Sequence, residues 1–441
     1  MEGKCGVSVG LQSPPSPTWG SNPFGLMSIY MDNNAWNYDE NMDWIYPILG
    51  LTWDRPTVAG GVGYINTYPP FNSLGGSGGV WDNIFSSPNN GVEPFYHGIN
   101  LNDPKFLYAA ELYNEPGNFG PLHSGSMQTY YEMTAYSRQA IQSYFPSEKI
   151  ALNFTSPTQF VTYNSCSTET FNGTQITPIN SYDIMTIHPY TQTSWNGMIT
   201  GPEASVSSNT FYDAWGNPLT QTYYGGSSCS TSWSGIVPLL ADLASYRCAN
   251  TSNKPMWTTE YGWGTGVGKS ILAITELTQA QYIVRGAILQ LAGGVSKLMP
   301  FLFRDIASYY NDCEGMGLMR VDTTVKPALQ AYSILAQLVN NLPYAGWVNK
   351  GTGSNIGCFV FGNSTQTVIA AWNPTQPAFN TSSISLPSGY TMYDMFGGPA
   401  NSSSHIVYYV YTNTSVTSVT SGIGSSYTQG FAPASIFNTT Y

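Results

Sequence analysis

The chain has 441 residues, with 14 Lys and Arg against 25 Asp and Glu for a formal net charge of −11. That balance argues against nucleic acid or an anionic membrane as partner. Hydrophobic residues make up 42% and charged residues 9%, against the usual quarter or so, so the core is ample and the surface relies on hydroxyls and amides. Such a surface keeps its character when carboxylates protonate, and an acidic or hot habitat is expected.

Residues 1–24 are rich in Pro, Ser and Gly and read as an irregular arm. A buried strand is expected at 24–30, a helix at 41–49 ended by Gly50, and a short strand at 51–53. The stretch 56–104 breaks the alternation: it is rich in Gly, Pro and Asn and contains Gly75-Gly76-Ser77-Gly78-Gly79, a linker composition. So long a structureless loop is unusual in a compact domain, so a strand is cryptic there or a unit has been replaced. The alternation resumes with an apolar run at 106–110 leading to Glu115, a helix over 125–144, and strands at 150–154 and 184–188. After a loop-rich insertion at 191–232 come a helix at 236–247, a strand at 256–260, an amphipathic helix at 278–291, a strand at 297–303 and a helix at 327–342 that opens on Pro327. Alternating strands and helices predict an α/β fold with a parallel sheet. After Pro343 short alternating runs (358–361, 367–372, 406–411) separated by Gly, Asn and Pro predict a small antiparallel β-sandwich. The expected division is a catalytic (β/α)8 barrel, residues 1–342, with its irregular arm and the loop-rich 56–104 segment, followed by a sandwich domain, residues 343–441.

Six cysteines (Cys5, Cys166, Cys229, Cys248, Cys313, Cys358) include no CxxC pair and permit up to three disulfides, with Cys229 and Cys248 closing the shortest loop. Eight glycosylation sequons, at Asn153, Asn172, Asn250, Asn363, Asn380, Asn401, Asn413 and Asn438, lean toward a secreted or cell-surface glycoprotein. Met1-Glu2-Gly3-Lys4 runs into polar residues and prolines rather than a leader, and no apolar run reaches membrane-spanning length.

Two segments carry the chemistry: Leu112-Tyr113-Asn114-Glu115-Pro116 and Trp257-Thr258-Thr259-Glu260-Tyr261-Gly262. Each places a glutamate where an apolar strand meets a loop, a position easy to expose to substrate and costly to bury unpaired. Two such carboxylates suggest one site at the end of a barrel. Paired carboxylates are the equipment of glycoside hydrolysis, one protonating the leaving oxygen and the other attacking the sugar or activating water. A zinc, nucleotide or Ser-His-Asp enzyme is disfavoured: the four histidines form no ligand cluster, and there is neither a Gly-rich phosphate loop after a strand nor a Gly-x-Ser-x-Gly elbow. No cofactor and no metal are expected.

On these residues the chain resembles clan A of the retaining glycoside hydrolases, most closely families such as 5, 30 and 39. Asn114-Glu115-Pro116 looks like the clan's fourth-strand motif, which implies Glu115 as acid/base and Asn114 as a contact to the sugar 2-hydroxyl. Glu260, 145 residues further on, looks like the seventh-strand nucleophile. His188-Pro189-Tyr190 is similar to the sixth-strand His-x-Tyr segment near the nucleophile, and Arg55 to the second-strand arginine that steadies it. Phe303-Arg304-Asp305 sits where the eighth strand ends, although the tryptophan common there is absent and Phe303 takes its place as a stacking platform. Tyr393-Asp394-Met395-Phe396-Gly397 resembles a recurring turn in the trailing β-domain. Trp195, Trp215, Trp233 and Trp263 are further candidates to stack on sugar faces, and Asp54 and Asp305 are expected to be supporting or loop acids. The segment 56–104 departs from the pattern.

The resemblance implies double displacement, with Glu260 ionised and Glu115 protonated by its neighbour's charge, carboxyl groups about 5–5.5 Å apart and retained configuration. The expected substrate is a β-linked polysaccharide or oligosaccharide. Endo action on β-1,4-glucan or mannan is favoured, with an exo-β-glycosidase of xylosidase, glucosidase or glucuronidase type, or a transglycosylase, as alternatives. From another class, a catalytically silent carbohydrate-binding surface protein would keep the fold without the activity. The oligomeric state is left open.

Overall fold

The computed structural model describes residues 23–29, 49–51, 53–58, 62–65, 109–112, 126–144, 146, 149–154, 157–171, 173–190, 201–202, 210–212, 218–220, 239, 243, 246–247, 250, 252, 254–266, 274–305, 315–348, 356–374 and 376–429. Strands β1 (Gly25–Ile29), β2 (Trp53–Val58), β3 (Val62–Ile65), β4 (Ala109–Leu112) and β5 (Lys149–Phe154) come first. A small hairpin of β6 (Glu169–Phe171) and β7 (Thr174–Ile176) precedes β8 (Ile184–Ile187). A second hairpin, β9 (Thr210–Tyr212) with β10 (Pro218–Thr220), precedes β11 (Met256–Thr258) and β12 (Lys297–Leu298). Helices α1 (Met127–Tyr144), α2 (Pro157–Asn164), α3 (Glu276–Ala292) and α4 (Pro327–Val339) alternate with these strands.

One eight-stranded sheet runs β1-β2-β3-β4-β5-β8-β11-β12. Its pairs are parallel except at β3, which lies antiparallel to both β2 and β4. The two ends of the sheet meet, because Leu298 bridges to Phe24 in parallel and its N–H donates to the Pro23 carbonyl at 2.7 Å. The cryptic strand of the 56–104 stretch is therefore β3, joined to β2 by residues 59–61 as a hairpin instead of a strand–helix unit. β2 itself starts later than expected and runs through Pro56. That proline is tolerated because β3 pairs with β2 only at Thr57 and Val58.

Where its side chains are described, both faces of this sheet are buried. Leu152, Phe154, Met185, Ile187, Met256 and Leu298 join the helices in the main core, whereas Ala151, Ile184, Trp257 and Met299 pack together on the opposite face. Strand alternation accounts for the split, since these sets occupy alternate positions of β5, β8 and β11. α1 and α2 are fixed to β5 by edge-to-face aromatic packing, with Phe154 5.0 Å from Phe160 and Tyr130 5.5 Å from Tyr163 between ring centroids. Leu239, Leu243 and Tyr246 are helical and buried, within the helix expected at 236–247. β12 has only two residues; beyond it the chain stays beside β11 through single hydrogen bonds, Met299 N–H to Thr258 and Phe301 N–H to Tyr261.

The last part forms one six-stranded antiparallel sheet, with β13 (Tyr344–Val348), β14 (Gly357–Gly362), β15 (Gln366–Trp372), β16 (Thr391–Asp394), β17 (Ile406–Thr412) and β18 (Tyr427–Gln429) in the order β16-β17-β15-β14-β13-β18. Among the described residues this sheet stands where two packed sheets were expected. Phe359, Phe361, Val368, Ala370, Trp372 and Tyr408 join the main core, so one face packs on the first part of the molecule. Val360, Ile369, Ala371, Val407 and Tyr409 form a second core with Phe379, Ile384 and Val419 of helix α5 (Val416–Ile423), which cover the other face. α3 packs along α4 and meets β13, and this explains why it is buried at Gln279, Ala280 and Ile283–Ala292 rather than amphipathic.

Cys166 is a free thiol, so three disulfides do not form; Cys229 and Cys248 lie outside the described residues. Of the sequons, Asn153 is fully buried in β5 and Asn250 is 6% exposed, so neither can carry a glycan in the folded state. No helix among the described residues is long and apolar enough to cross a membrane.

Candidate active site

The site grows from the ends of β8 and β11. These strands are parallel and pair Ile187 with Thr258, and the Thr259 N–H donates to the Ile187 carbonyl at 3.2 Å, so both chains leave the sheet side by side. His188 and Tyr190 follow β8, and Thr259 and Glu260 follow β11. A tight turn around Pro189, closed by Tyr190 N–H to His188 carbonyl at 2.9 Å, points both side chains of the segment to the same place.

There the Tyr190 hydroxyl donates to Glu260 Oε2 at 3.0 Å, and His188 Nδ1 lies 3.6 Å from the same oxygen. Glu260 is 6% exposed. A carboxylate this buried needs a hydrogen-bond donor, and the Tyr190 phenol supplies one while the His188 ring lies beside it. On its other side His188 places Nε2 3.0 Å from Thr259 Oγ1. Three of the expected site residues, Glu260, His188 and Tyr190, are thus brought together by direct contacts.

A second carboxylate in this region was not anticipated. Glu111, in β4, is fully buried; its Oε1 accepts from Thr186 Oγ1 at 2.5 Å and from Thr259 Oγ1 at 2.7 Å. Thr186 in turn accepts from Asn153 Nδ2 at 3.3 Å. The signal in the sequence is a charged residue inside Ala109-Ala110-Glu111-Leu112, where burial demands partners. Thr186, Asn153 and Thr259 carry no such signal, since hydroxyls and amides are common throughout this chain.

Sheet order puts β4 fourth and β11 seventh. Glu115 comes three residues after β4, and Asn114 and Glu115 lie outside the described residues, as does any separation measured from them. Arg55 sits within β2 with its Cα opposite Met27. Trp263 and Phe303 are 2% and 7% exposed and belong to the main core, Trp263 packing edge-on to Tyr261 and Tyr282. Trp195, Trp215 and Trp233 lie outside the described residues. Asp305 is held by Lys326, with Nζ 2.7 Å from Oδ2, as a structural acid. Among the described residues no group of three or more His, Cys, Asp or Glu is placed to hold a metal ion.

No family model and no curated protein sequence matches the chain. Among solved structures it is similar to a family 39 glycoside hydrolase from Bacteroides cellulosilyticus WH2, at 15% identity and a TM-score of 0.47 over 74% of this chain and 61% of that one. An FMN-binding β-glucuronidase from Faecalibacterium prausnitzii L2-6 aligns at 13% identity and a TM-score of 0.45, over 89% of this chain and 53% of that one. A monomeric β-xylosidase from Caulobacter crescentus CB15 aligns at 14% identity and a TM-score of 0.44, over 87% and 80%. The chain spans less than two thirds of the first two of these proteins.

Proposed function

We propose that the protein is a retaining glycoside hydrolase of β-linked glycans, with Glu260 as nucleophile and Glu115 as acid/base. The observation that carries this reading is the buried Glu260 carboxylate at the end of β11, held by the Tyr190 hydroxyl and flanked by the His188 imidazole. A carboxylate oriented by an O–H donor is aimed, which is what a nucleophile at an anomeric carbon requires. Glu115, delivered from the β4 side, protonates the departing glycosidic oxygen, and the ester to Glu260 is then hydrolysed by water that Glu115 deprotonates. The chemistry is carried by the side chains and needs no cofactor.

In this reading the eight-stranded sheet is a (β/α)8-type barrel in which a hairpin replaces the third strand–helix unit. The proposed division is a catalytic part, residues 1–342, and a bracing β-domain, residues 343–441; the second sheet beginning at Tyr344 supports it. Endo action on β-1,4-glucan or mannan is the favoured specificity, because an aromatic-rich, weakly charged chain suits a neutral sugar polymer.

Release of reducing sugar from β-glucan, mannan and xylan, and of aryl groups from aryl β-glycosides, tests the reading in wild type and Glu260→Gln. Activity that collapses in the variant supports it. Activity on aryl glycosides alone replaces endo with exo action. Equal activity in both proteins removes Glu260 as nucleophile, and silence of the wild type on every substrate favours a binding protein.

A further inference from the structure

We infer that Glu111 is a positioning residue for Glu260, acting through Thr259 and His188; the inference rests on the reading of Glu260 as nucleophile. Hydrogen bonds run from the fully buried Glu111 through Thr259 to His188, whose ring lies beside the Glu260 carboxylate. Thr259 Oγ1 is 2.7 Å from Glu111 Oε1 and 3.0 Å from His188 Nε2, and His188 Nδ1 is 3.6 Å from Glu260 Oε2.

Counting protons fixes the direction of this chain. An ionised carboxylate only accepts, and a threonine hydroxyl has one proton to give. Glu111 takes the proton of Thr259, and the Thr259 oxygen is left as the acceptor for His188. His188 therefore carries its proton on Nε2. With Nε2 tied to Thr259, the ring turns Nδ1 toward the Glu260 carboxylate. Thr259 is also the residue before Glu260 in the chain, so locking its hydroxyl fixes the backbone that aims the nucleophile.

The second donor to Glu111 holds the acid in place. Thr186 stands in β8, two residues before His188, and its hydroxyl donates to the same Oε1 at 2.5 Å. Glu111 thereby joins β4, β8 and β11 at one point directly beneath the strand ends that carry Glu260, His188 and Tyr190. Arrangements of this kind, in which an outer group orients an imidazole, typically alter the function of the inner group about ten- to hundredfold when broken.

Two measurements test the inference. The first needs no activity: ¹⁵N–¹H correlation spectra of the imidazole rings, with four histidines in the chain and His188 assigned by its loss in His188→Asn. The expected result is a proton on Nε2 in wild type that becomes mixed between the two nitrogens in Glu111→Gln and Thr259→Val. An unprotonated Nε2 in the wild type overturns the inference, whatever the enzyme does. The second is a double-mutant cycle on hydrolysis. Glu111→Gln and Thr259→Val are each expected to lower kcat about ten- to hundredfold with KM little changed, and the double variant to lose no more than Thr259→Val alone. Independent, multiplicative losses, or loss of folding without a kcat effect in the folded fraction, overturn it. If Glu260→Gln retains full activity, the nucleophile assignment fails instead, and the spectra still decide whether the contacts set the His188 tautomer.

Discussion

The Tyr190 hydroxyl donates a hydrogen bond to Glu260 Oε2 across 3.0 Å, although the two residues lie 70 positions apart in the chain. In the proposed mechanism this bond stabilises the carboxylate both as the resting nucleophile and as the group expelled when the glycosyl ester is hydrolysed. Tyr190→Phe removes the bond and leaves the ring. A hydrogen bond to a charged group is worth about 1.5–3 kcal/mol, so kcat on the preferred substrate is expected to fall about 10- to 150-fold. With an aryl glycoside of good leaving group, a burst of aryl release should appear in the variant, because the second step is the one that slows. Unchanged kcat in a correctly folded Tyr190→Phe protein would show that the contact does not act in the reaction.

Gly262 ends the Thr259-Glu260-Tyr261-Gly262 segment and has no room for a side chain. A Cβ there would lie 2.5 Å from the Phe301 carbonyl oxygen and 3.1 Å from Met316 Cε. The Phe301 oxygen is backbone, and the Phe301 N–H is already tied to the Tyr261 carbonyl at 2.8 Å, so neither segment yields easily. Gly262→Ala is expected to destabilise the protein by about 1–3 kcal/mol. The control is Gly398→Ala, whose nearest neighbour would be Asp394 Oδ2 at 3.4 Å, an ordinary contact. Denaturant midpoints of the two variants compare them directly, and equal midpoints would refute the clash.

Much of this arrangement is legible in the sequence, and the exceptions have physical causes. The segments that became β5, β8 and β11 read as strands because each is a short apolar run between turn residues, and α4 is announced by Pro327 at its first position. β3 escaped because Val62-Gly63-Tyr64-Ile65 follows Gly60-Gly61 and contains a third glycine, and its pairing is antiparallel in a sheet expected to be parallel. The apolar run 297–303 overstated β12, since most of it is buried in contacts other than a strand ladder. α3 looked one-sided because its burial against both α4 and β13 is not visible in its own periodicity. At the site, Glu260 was readable as a carboxylate where an apolar run meets a loop, and His188 and Tyr190 only through the resemblance of their segment. Glu111 was hidden because its partners are threonines from two other strands, a juxtaposition that only the folded sheet creates.

A buried ion pair joins the loops behind the site. Lys326 Nζ donates to Asp305 Oδ1 at 2.9 Å, Thr265 Oγ1 at 3.0 Å and the Gly315 carbonyl at 2.8 Å. Burial raises the pKa of Asp305 and lowers that of Lys326, so each group depends on the other to stay charged. Removing one partner leaves the other buried and unpaired, which costs about 3–5 kcal/mol. Lys326→Met should therefore lower the denaturant midpoint strongly, and adding Asp305→Asn should recover part of the loss. A double variant no more stable than Lys326→Met would show that the desolvated charge is not the source of the effect.

Lys254 provides a pH-dependent term of known sign. Its ammonium donates to the Tyr182 carbonyl at 2.5 Å and sits 4.5 Å above the Tyr182 ring, and burial lowers its pKa from 10.5 to about 8. Between those values the unfolded chain holds a proton that the folded chain has released, so stability rises with pH across this window. Below about pH 8 both states carry the charge, and the folded state bears the full desolvation penalty. Lys254→Met removes the group from both states. The wild type should therefore gain stability relative to the variant as pH rises from 8 to 10. Buried tyrosines such as Tyr163 and Tyr182 act in the opposite sense above about pH 10, because the fold keeps them protonated while the unfolded chain ionises. Their contribution is common to both proteins and cancels in the difference. Urea midpoints measured at pH 7, 8, 9 and 10 would reveal the trend, and a constant difference between the two proteins across that range would mean that Lys254 is not depressed by the fold.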